Sequence, residues 1–293
     1  MKQTLKLTLF AMIILAVSAV PVFSQEASEA AKNRAEKLLV EARAAIGEDA
    51  KIQAVKSLSL AGKFITSSSR GESTMEYESD FLFPDKYVKR ETHILEIGSY
   101  NDIYGIDGAS VWNHQSSTSE FLRFQAKDQK YIDGQKPALR AEAARWLAVM
   151  LLRTPGSSPF EVVYAGEADV DGKSTDLIDV KGTDEFSARL FLDKTTHRVA
   201  MVSYTGKLKG RIGGRATQNP DGSFTPEPIQ ADKVAGMKAD EVRVRFSDYR
   251  AVDGIQVPYR VVFQSGEGIK EAWEFTKIQL NAPLTPDVFK KKV

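Results

Sequence analysis

Short segments in which apolar and polar residues alternate, joined by tight turns, recur along this 293-residue chain. Residues 75–83 are an example, and a period of two indicates strands with one buried face. An Asp-Gly pair favours a tight hairpin, so its occurrence at 107–108, 171–172 and 253–254 predicts neighbouring antiparallel strands. The chain is therefore predicted to form one meandering antiparallel sheet of about ten strands, which argues against an alternating βαβ nucleotide-binding sheet.

Two segments break this pattern with helical spacing. The first runs from a predicted N-cap at Ser28 to Ile46, with small apolar residues along one face. The second opens at Pro137, where the missing N–H costs nothing, and ends at 154–156. Its apolar stripe predicts an amphipathic helix in mid-chain and consists of Leu139, Ala143, Trp146, Leu147, Met150 and Leu151.

A sheet of this width curls because strands twist, and its apolar face must be covered. Only the two helices are available as cover, so the sequence predicts either a packed core or an apolar hollow. A further short strand near 121–125 and a long exposed loop at 209–236 complete the prediction. The predicted inward rows are Met75/Tyr77/Phe81/Phe83, Phe186/Ala188/Leu190/Leu192, Val242/Val244/Phe246, Val257/Tyr259/Val261/Phe263, and Trp273 with Phe275.

The N-terminus has the pattern of a cleavable secretory signal. Lys2 and Lys6 supply positive charge, residues 7–20 are uncharged and nearly all apolar, and Pro21 precedes a cleavage site predicted after Ser24. The apolar run is shorter than the ~20 residues that a membrane-spanning helix needs. We therefore expect an exported, soluble mature chain of residues 25–293 that forms one domain.

The composition excludes several classes of protein. The chain contains no cysteine, which excludes disulfides, lipid attachment to a cysteine and thiolate metal sites. Removal of Lys2 and Lys6 leaves 38 basic residues beside 39 acidic ones. Because a strong basic excess marks nucleic-acid-binding proteins, this near balance argues against a nucleic-acid partner.

The sequence lacks common catalytic motifs. His93, His114 and His197 lie far apart in the chain, and neither a His-Glu-x-x-His nor a Gly-x-Ser-x-Gly pattern occurs. The glycine-rich run at 210–215 does not open a helix, so it lacks the geometry of a phosphate-binding loop. We expect no enzyme activity, no metal and no cofactor. An envelope hydrolase is the alternative, and it would need distant residues to converge in one pocket.

A group of four cations lies at the start of the predicted 209–236 loop: Lys207, Lys209, Arg211 and Arg215. These residues indicate either an ordinary solvated loop or a cationic rim that meets anionic lipid headgroups. The sequence leaves both interpretations open.

The helix end and strand of 51–62, and the Asp-Gly hairpins of 104–112 and 248–259, resemble the outer-membrane lipoprotein-sorting family, the LolA-like superfamily of Gram-negative bacteria. The resemblance implies an α+β fold, in which a large curled antiparallel sheet forms an incomplete (half) β-barrel covered by an N-terminal helix and a mid-chain helical lid. It also implies a periplasmic carrier of lipoprotein acyl chains or related lipids. Its expected partners are an inner-membrane extractor and an outer-membrane receptor, and we expect a monomer.

With this resemblance, the apolar rows and the mid-chain helix become a candidate site for acyl chains. Its residues are Met75, Tyr77, Phe81, Phe83, Trp146, Leu147, Met150, Leu151, Leu190, Leu192, Phe246 and Tyr259. The ordinary interpretation of the same residues is a packed core. As an alternative function, the fold would serve as a non-enzymatic envelope sensor or protein-binding module.

Overall fold

The fold consists of two strand meanders separated by a helical segment. The computed structural model describes residues 22–68, 71–95, 98–121, 127–153, 161–182, 186–206, 216–222, 224–226, 240–265 and 269–291. Helices α1 (Val22–Ile46) and α2 (Asp49–Ala54) precede the first meander. That meander comprises β1 (Ser57–Ser68), β2 (Gly71–Leu82), β3 (Lys86–Leu95), β4 (Gly98–Asp107) and β5 (Ser110–Ser117).

The helical segment contains α3 (Gln129–Gly134) and α4 (Lys136–Leu151). The second meander and a small separate hairpin follow. Their strands are β6 (Glu161–Val170), β7 (Lys173–Lys181), β8 (Ser187–Asp193), β9 (Val199–Gly206), β10 (Ala216–Gln218), β11 (Phe224–Pro226), β12 (Asp240–Val252), β13 (Ile255–Ser265) and β14 (Ile269–Leu280). A 3₁₀ turn at Pro286–Phe289 lies in the C-terminal segment.

Twelve strands form one antiparallel sheet in the order β5-β4-β3-β2-β1-β14-β13-β12-β9-β8-β7-β6. Strands that follow one another along the chain mostly pair in the sheet, and β1 also pairs with β14, which places Leu58 opposite Leu280. This pairing joins the two meanders and leaves β5 and β6 as the edges. The predicted fold class, a curled and unclosed antiparallel sheet with an N-terminal and a mid-chain helix, is confirmed.

The Asp-Gly turns form as predicted. Asp171 and Gly172 have φ angles of 52° and 79°, and Asp253 and Gly254 have φ angles of 50° and 82°. Two successive residues with positive φ match the right-handed twist of the strands that they join. The predicted loop at 209–236 differs from its prediction, because its described residues contain the β10–β11 hairpin. The turn of this hairpin follows Asn219, whose carbonyl accepts from the N–H of Gly222 at 3.0 Å.

Two helices and one strand differ from the prediction. Helix α1 begins at Val22, before the predicted cap at Ser28, because residues 22–27 contain no helix breaker. Helix α3 was missed, and its N-cap is Asp128, whose side chain accepts from the N–H of Lys130 at 3.1 Å. In place of the strand predicted near 121–125, Phe121 lies in a turn, and 122–126 lie outside the described residues.

The signal sequence predicted at 1–24 lies mostly outside the described residues, so its cleavage near Ser24 stays a prediction. Within the described part of the chain, no helix combines the length and the apolar character needed to cross a membrane.

The main core lies on the concave face of the sheet, called the hollow below. Helix α1 packs there against β6 and β13, and its Ala35 and Ala42 are fully buried, as the small-residue face predicted. On the convex face, the C-terminal segment packs against the first meander. There the indole Nε1 of Trp112 donates to the carbonyl of Phe289 at 2.7 Å.

Candidate functional site

The connection between the two meanders crosses the hollow. Strand β5 is one edge of the sheet and β6 is the other, and the chain between them contains α3 and α4. Helix α4 contacts β4 in the first meander and β13 in the second. The topology therefore places a helix between the two walls of the curled sheet.

The C-terminal half of α4 is enclosed on every side. Residues 146–152 are seven in succession, and each of them is at most 5% exposed. A helix with an exposed polar face would leave some of these residues in water, so this half is not amphipathic. The prediction of an amphipathic helix was wrong here because the run from Trp146 to Leu152 contains no polar residue. The helix fills the hollow instead of covering it from outside.

Aromatic rings form the contact between α4 and the middle of the sheet. The ring of Trp146 lies 5.6 Å from that of Trp273, 5.7 Å from Phe275 and 6.1 Å from Phe263, in edge-on geometries. Trp273 in turn lies 4.2 Å from Tyr77. Such edge-to-face pairs add to the stability that burial gives.

The structure brings the twelve predicted site residues together in one cluster on the hollow side of the sheet. Two of them, Phe83 and Tyr259, are half-buried at its margin. The other ten are buried: Met75, Tyr77, Phe81, Trp146, Leu147, Met150, Leu151, Leu190, Leu192 and Phe246. With α4 in this position, the candidate acyl-chain site is occupied by the protein's own side chains.

A cavity of about 110 Å³ remains at the Phe83 end of the hollow, where its lining includes Phe81, Leu147 and Arg140. At ~30 Å³ per water molecule, it has room for roughly four waters, which is far less than an acyl chain occupies. A second cavity of about 460 Å³ is lined mostly by polar residues of α3 and of the start of β5, among them Gln129 and Asp133. The first cavity is thus too small for a lipid tail, and the polar lining of the second does not suit one.

The N-terminal half of α4 meets the sheet through polar contacts. Both carboxylate oxygens of Glu142 accept from Lys89 Nζ, at 2.9 and 3.2 Å. Glu142 also accepts from the hydroxyl of Tyr87 at 3.1 Å, and that hydroxyl lies 3.3 Å from the hydroxyl of Tyr77. One carboxylate on α4 is thus held by β3 inside the hollow.

The pKa values in this cluster follow from the ion pair. Burial alone would raise the pKa of Glu142, but Lys89, Arg145 and the Tyr87 hydroxyl together outweigh burial and the pKa is lowered. Burial alone would lower the pKa of Lys89, but Glu142 and Glu91 outweigh it and the pKa is raised. Burial raises the pKa of both Tyr77 and Tyr87. At neutral pH the pair is charged and both phenols are protonated.

The neighbouring part of the hollow is also polar. Lys127, which precedes α3, donates to Asp102 at 3.0 Å and to the hydroxyl of Tyr104 at 2.6 Å. Arg145 of α4 lies over the ring of Tyr204, 4.2 Å from its centroid. These contacts connect both helices to the walls of the hollow through groups that water can also hydrate.

Two arginines fix the C-terminal end of α4. The guanidinium of Arg43 on α1 donates twice to the carbonyl of Leu152, at 3.2 and 3.0 Å. Arg153 donates to the carbonyls of Ile52 and Val55 at the end of α2, at 3.0 and 2.8 Å. Burial lowers the pKa of both arginines. Both arginines thus donate to backbone carbonyls at a helix end, where intrahelical donors run out.

The structure does not bring the three histidines together. His93 stacks on Tyr100 at 3.9 Å on β3, His114 lies on β5, and His197 lies in the turn between β8 and β9. Among the described residues, no group of His, Asp and Glu side chains has the arrangement of a metal site. The four residues of the predicted cationic rim, Lys207, Lys209, Arg211 and Arg215, lie outside the described residues.

Sequence reasoning missed the polar contacts of α4, above all Lys89 and Glu142. A signal was present, because Lys89, Glu91 and His93 occupy one face of β3 where an apolar row would be expected. The two anchoring arginines gave no comparable signal, since each one binds backbone far away in the sequence.

Comparison with protein-family models and with curated protein sequences finds no match. Among solved structures, a LolA superfamily protein from Nitrosomonas europaea is 11% identical, covers 88% of this chain and 97% of its own, and gives a TM-score of 0.46. An outer membrane lipoprotein-sorting protein domain from Vibrio parahaemolyticus is 8% identical, with coverages of 88% and 97% and a TM-score of 0.45. A DUF1329 family protein from Desulfovibrio piger is 11% identical, with coverages of 89% and 97% and a TM-score of 0.46.

Two of these three proteins bear the name of the superfamily that the sequence resembles. Identities of 8 to 11% are too low for a function to be transferred from them. The function proposed below is therefore argued from the residues of this chain.

Proposed function

We propose that this chain is an envelope carrier that binds acyl chains of lipoproteins or related lipids in the hollow and transfers them toward the outer membrane. Binding is reversible and involves no covalent chemistry. The observation that carries the proposal is α4 itself, because an apolar helix fills a hollow whose wall is a continuous sheet. A lipid chain that displaces this helix would meet the same apolar surface.

The free energy gained by burying a lipid chain is comparable with the cost of displacing the helix. Burial of about a dozen methylenes contributes on the order of 10 kcal/mol at ~0.8 kcal/mol each, before the costs of association. This gain offsets the loss of the contacts that Leu139, Ala143 and Trp146 make in the closed state. Release would reverse the exchange, since the helix returns to its own site.

Opening would begin at the N-terminal half of α4. Its contacts with the sheet, through Glu142 and Arg145, are polar and partly exposed, so water can replace them at modest cost. The C-terminal end is held by Arg43 and Arg153 and by dense apolar packing. We infer that the helix swings about this end and acts as the lid of the hollow.

The proposal extends to location and partners. A signal at 1–24 would deliver the chain to the periplasm, the aqueous compartment between the two membranes. The inner-membrane extractor and the outer-membrane receptor that the resemblance implies are proposed as its partners. The cations at 207–215 are proposed to meet anionic headgroups.

Cross-linking α4 to the sheet tests the proposal directly. The chain has no cysteine, so Lys89→Cys and Glu142→Cys introduce two unique thiols at facing positions of β3 and α4, whose native side chains meet with Nζ and Oε2 2.9 Å apart. A short bis-maleimide should join them and abolish binding of a fluorescent fatty-acyl probe. The matched control is the same double variant without cross-linker, which should bind at least as well as the wild-type protein.

Two outcomes would contradict the proposal. Equal probe binding with and without the cross-link would show that α4 does not gate the hollow. An absence of lipid in extracts of the protein purified from its envelope, together with one stably bound protein partner, would favour the sensor or protein-binding module instead. Mass spectrometry of the extract and of the pulled-down partner separates these cases.

A further inference from the structure

The indole N–H of Trp273 is a buried donor that finds no acceptor among the described residues. Trp273 is 8% exposed, and among the described residues its Nε1 makes no hydrogen bond. Trp112 shows the usual arrangement, since its Nε1 donates to the carbonyl of Phe289 at 2.7 Å. Buried indole N–H groups nearly always find a partner, so the state of Trp273 requires an explanation.

The surroundings of Trp273 explain why the described part of the chain offers it no acceptor. Four aromatic rings lie around it, with centroids 4.2 to 5.9 Å away: Tyr77, Phe64, Trp146 and Phe263. Of these, Tyr77 has a hydroxyl oxygen, and that oxygen lies 3.3 Å from the hydroxyl of Tyr87. The indole that carries the donor therefore lies between the sheet and α4, among other aromatic rings.

We propose that Trp273 Nε1 recognises the neutral carbonyl oxygen of an acyl ester or amide when the ligand chain replaces α4. This inference rests on the proposed function and adds a specificity-determining residue to it. An indole N–H donates and cannot accept, so it selects for a ligand with an acceptor. A hydrocarbon has no acceptor, and a free carboxylate would bring a charge into an apolar cluster at a high desolvation cost.

The chain has three tryptophans, so the indole N–H region of a ¹H–¹⁵N spectrum of the full chain contains one signal for each. The variant Trp273→Phe identifies the signal of Trp273 by its loss. Methyl dodecanoate is the probe, and an alkane of matched length is its control. Both probes displace Trp146 and so move the Trp273 signal, but the ester should shift it further downfield than the alkane does, and the Trp112 signal should stay in place with both.

Affinity supplies a second readout. Trp273→Phe keeps an aromatic ring and removes the donor, so ester affinity should fall about 3- to 10-fold more than alkane affinity does. The matched control Trp146→Phe alters a ring of α4 in the same cluster, weakens the closed state, and should therefore strengthen the binding of both probes alike. The wild-type spectra need no variant, so the inference stays testable if Trp273→Phe does not fold.

The outcomes separate the two hypotheses. Binding of both probes with equal shifts at Trp273, or an equal loss of both affinities in Trp273→Phe, overturns carbonyl recognition and leaves the carrier proposal standing. If neither probe binds, the carrier proposal fails and the inference fails with it.

The same spectra distinguish two sources of the carbonyl. A synthetic diacylated lipopeptide and a phospholipid with the same acyl chains are added in turn. The source that shifts the Trp273 signal at the lower concentration is the preferred ligand, and a downfield shift larger than that of the alkane with either one supports the inference. A shift no larger than that of the alkane with both lipids overturns it.

Discussion

The two halves of the hollow are built alike, each from a strand meander, but they differ in chemistry. The half formed by the second meander is apolar, as the buried cross-strand row of Ile178, Leu190, Val202 and Val244 shows. In the half formed by the first meander, β3 and β4 place Lys89 opposite Tyr104, Glu91 opposite Asp102 and His93 opposite Tyr100. Helix α4 shows the same difference, since its N-terminal half makes polar contacts and its C-terminal half makes apolar ones.

This difference separates two kinds of stability. Apolar packing against the second meander has no substitute in water, so it fixes the C-terminal half of α4. Ion pairs and hydrogen bonds on the first meander can be exchanged for hydration, so they position the N-terminal half at a lower cost of release. We call the C-terminal half of α4, which is held by apolar packing, the firm end. The N-terminal half, which is held by polar contacts that water can replace, is the exchangeable end.

The largest effect should come from the firm end. Leu151 is fully buried, so Leu151→Ala removes its contacts and leaves a cavity. The free energy of unfolding should fall by about 2 to 5 kcal/mol in urea denaturation. Val40→Ala, at a position 62% exposed on α1, is the matched control and should change stability by less than about 0.5 kcal/mol. Similar losses at both positions would contradict the packing of α4 described here.

A smaller effect is expected at the exchangeable end. Glu142→Gln removes the charge that faces Lys89, but Lys89 keeps Glu91 at 3.5 Å. We expect a loss of about 1 to 2 kcal/mol. The double variant Lys89→Met with Glu142→Met replaces the pair with apolar side chains and should recover most of that loss. A loss in Glu142→Gln as large as that in Leu151→Ala would remove the distinction between the two ends.

The dependence of stability on pH also distinguishes the two ends of α4. The pKa of Glu142 is lower in the folded chain than its ordinary value of 4.5, so its contribution to stability is complete above that value and is lost as the pH falls through the lowered pKa. The stability difference between the wild-type protein and Glu142→Gln should therefore be full at neutral pH and shrink below about 4.5. Urea unfolding across this range measures it.

The control for the pH series is Glu48→Gln, which removes one negative charge at an exposed position on the surface. Leu151→Ala should keep a nearly constant loss over the same range, since no titratable group is removed. A Glu142→Gln difference that does not change with pH would show that the carboxylate is not held as an ion.

Most of the fold could be predicted from local sequence patterns. The Asp-Gly turns at 171–172 and 253–254 could be predicted because each of them fixes two neighbouring strands through a few residues. The pairing of β1 with β14 left no local signal, since Leu58 and Leu280 meet only after the rest of the chain has folded. The pairing that joins the two meanders could therefore be identified from the structure but not from the sequence.

The site was predictable in its apolar half alone. Trp146, Met150 and Leu151 were identified because apolar residues at helical spacing predict burial wherever the helix lies. The pair of Lys89 and Glu142 depends on how α4 is placed against β3, which no sequence period encodes. The prediction of an amphipathic helix was wrong for the second half of α4. The first turns have an apolar stripe, but the residues that follow are apolar on every side.

The smallest effect is expected where α1 meets the edge of the apolar half. Arg34 lies 3.7 Å over the ring of Tyr164 and forms an ion pair with Asp176 at 3.1 Å, while its side chain remains 49% exposed. Arg34→Met keeps the apolar stem and removes the charge, so we expect a loss of about 1 kcal/mol or less in urea unfolding.

Because exposed charges are screened by salt, the loss in Arg34→Met should shrink further at high ionic strength, whereas the loss in Leu151→Ala should persist. A loss in Arg34→Met that is large and insensitive to salt would mean that α1 is anchored by this contact and not by the burial of Ala35 and Ala42. In that case the apolar half of the hollow would depend on surface charge as the polar half depends on Glu142, and the contrast between the two halves would not hold.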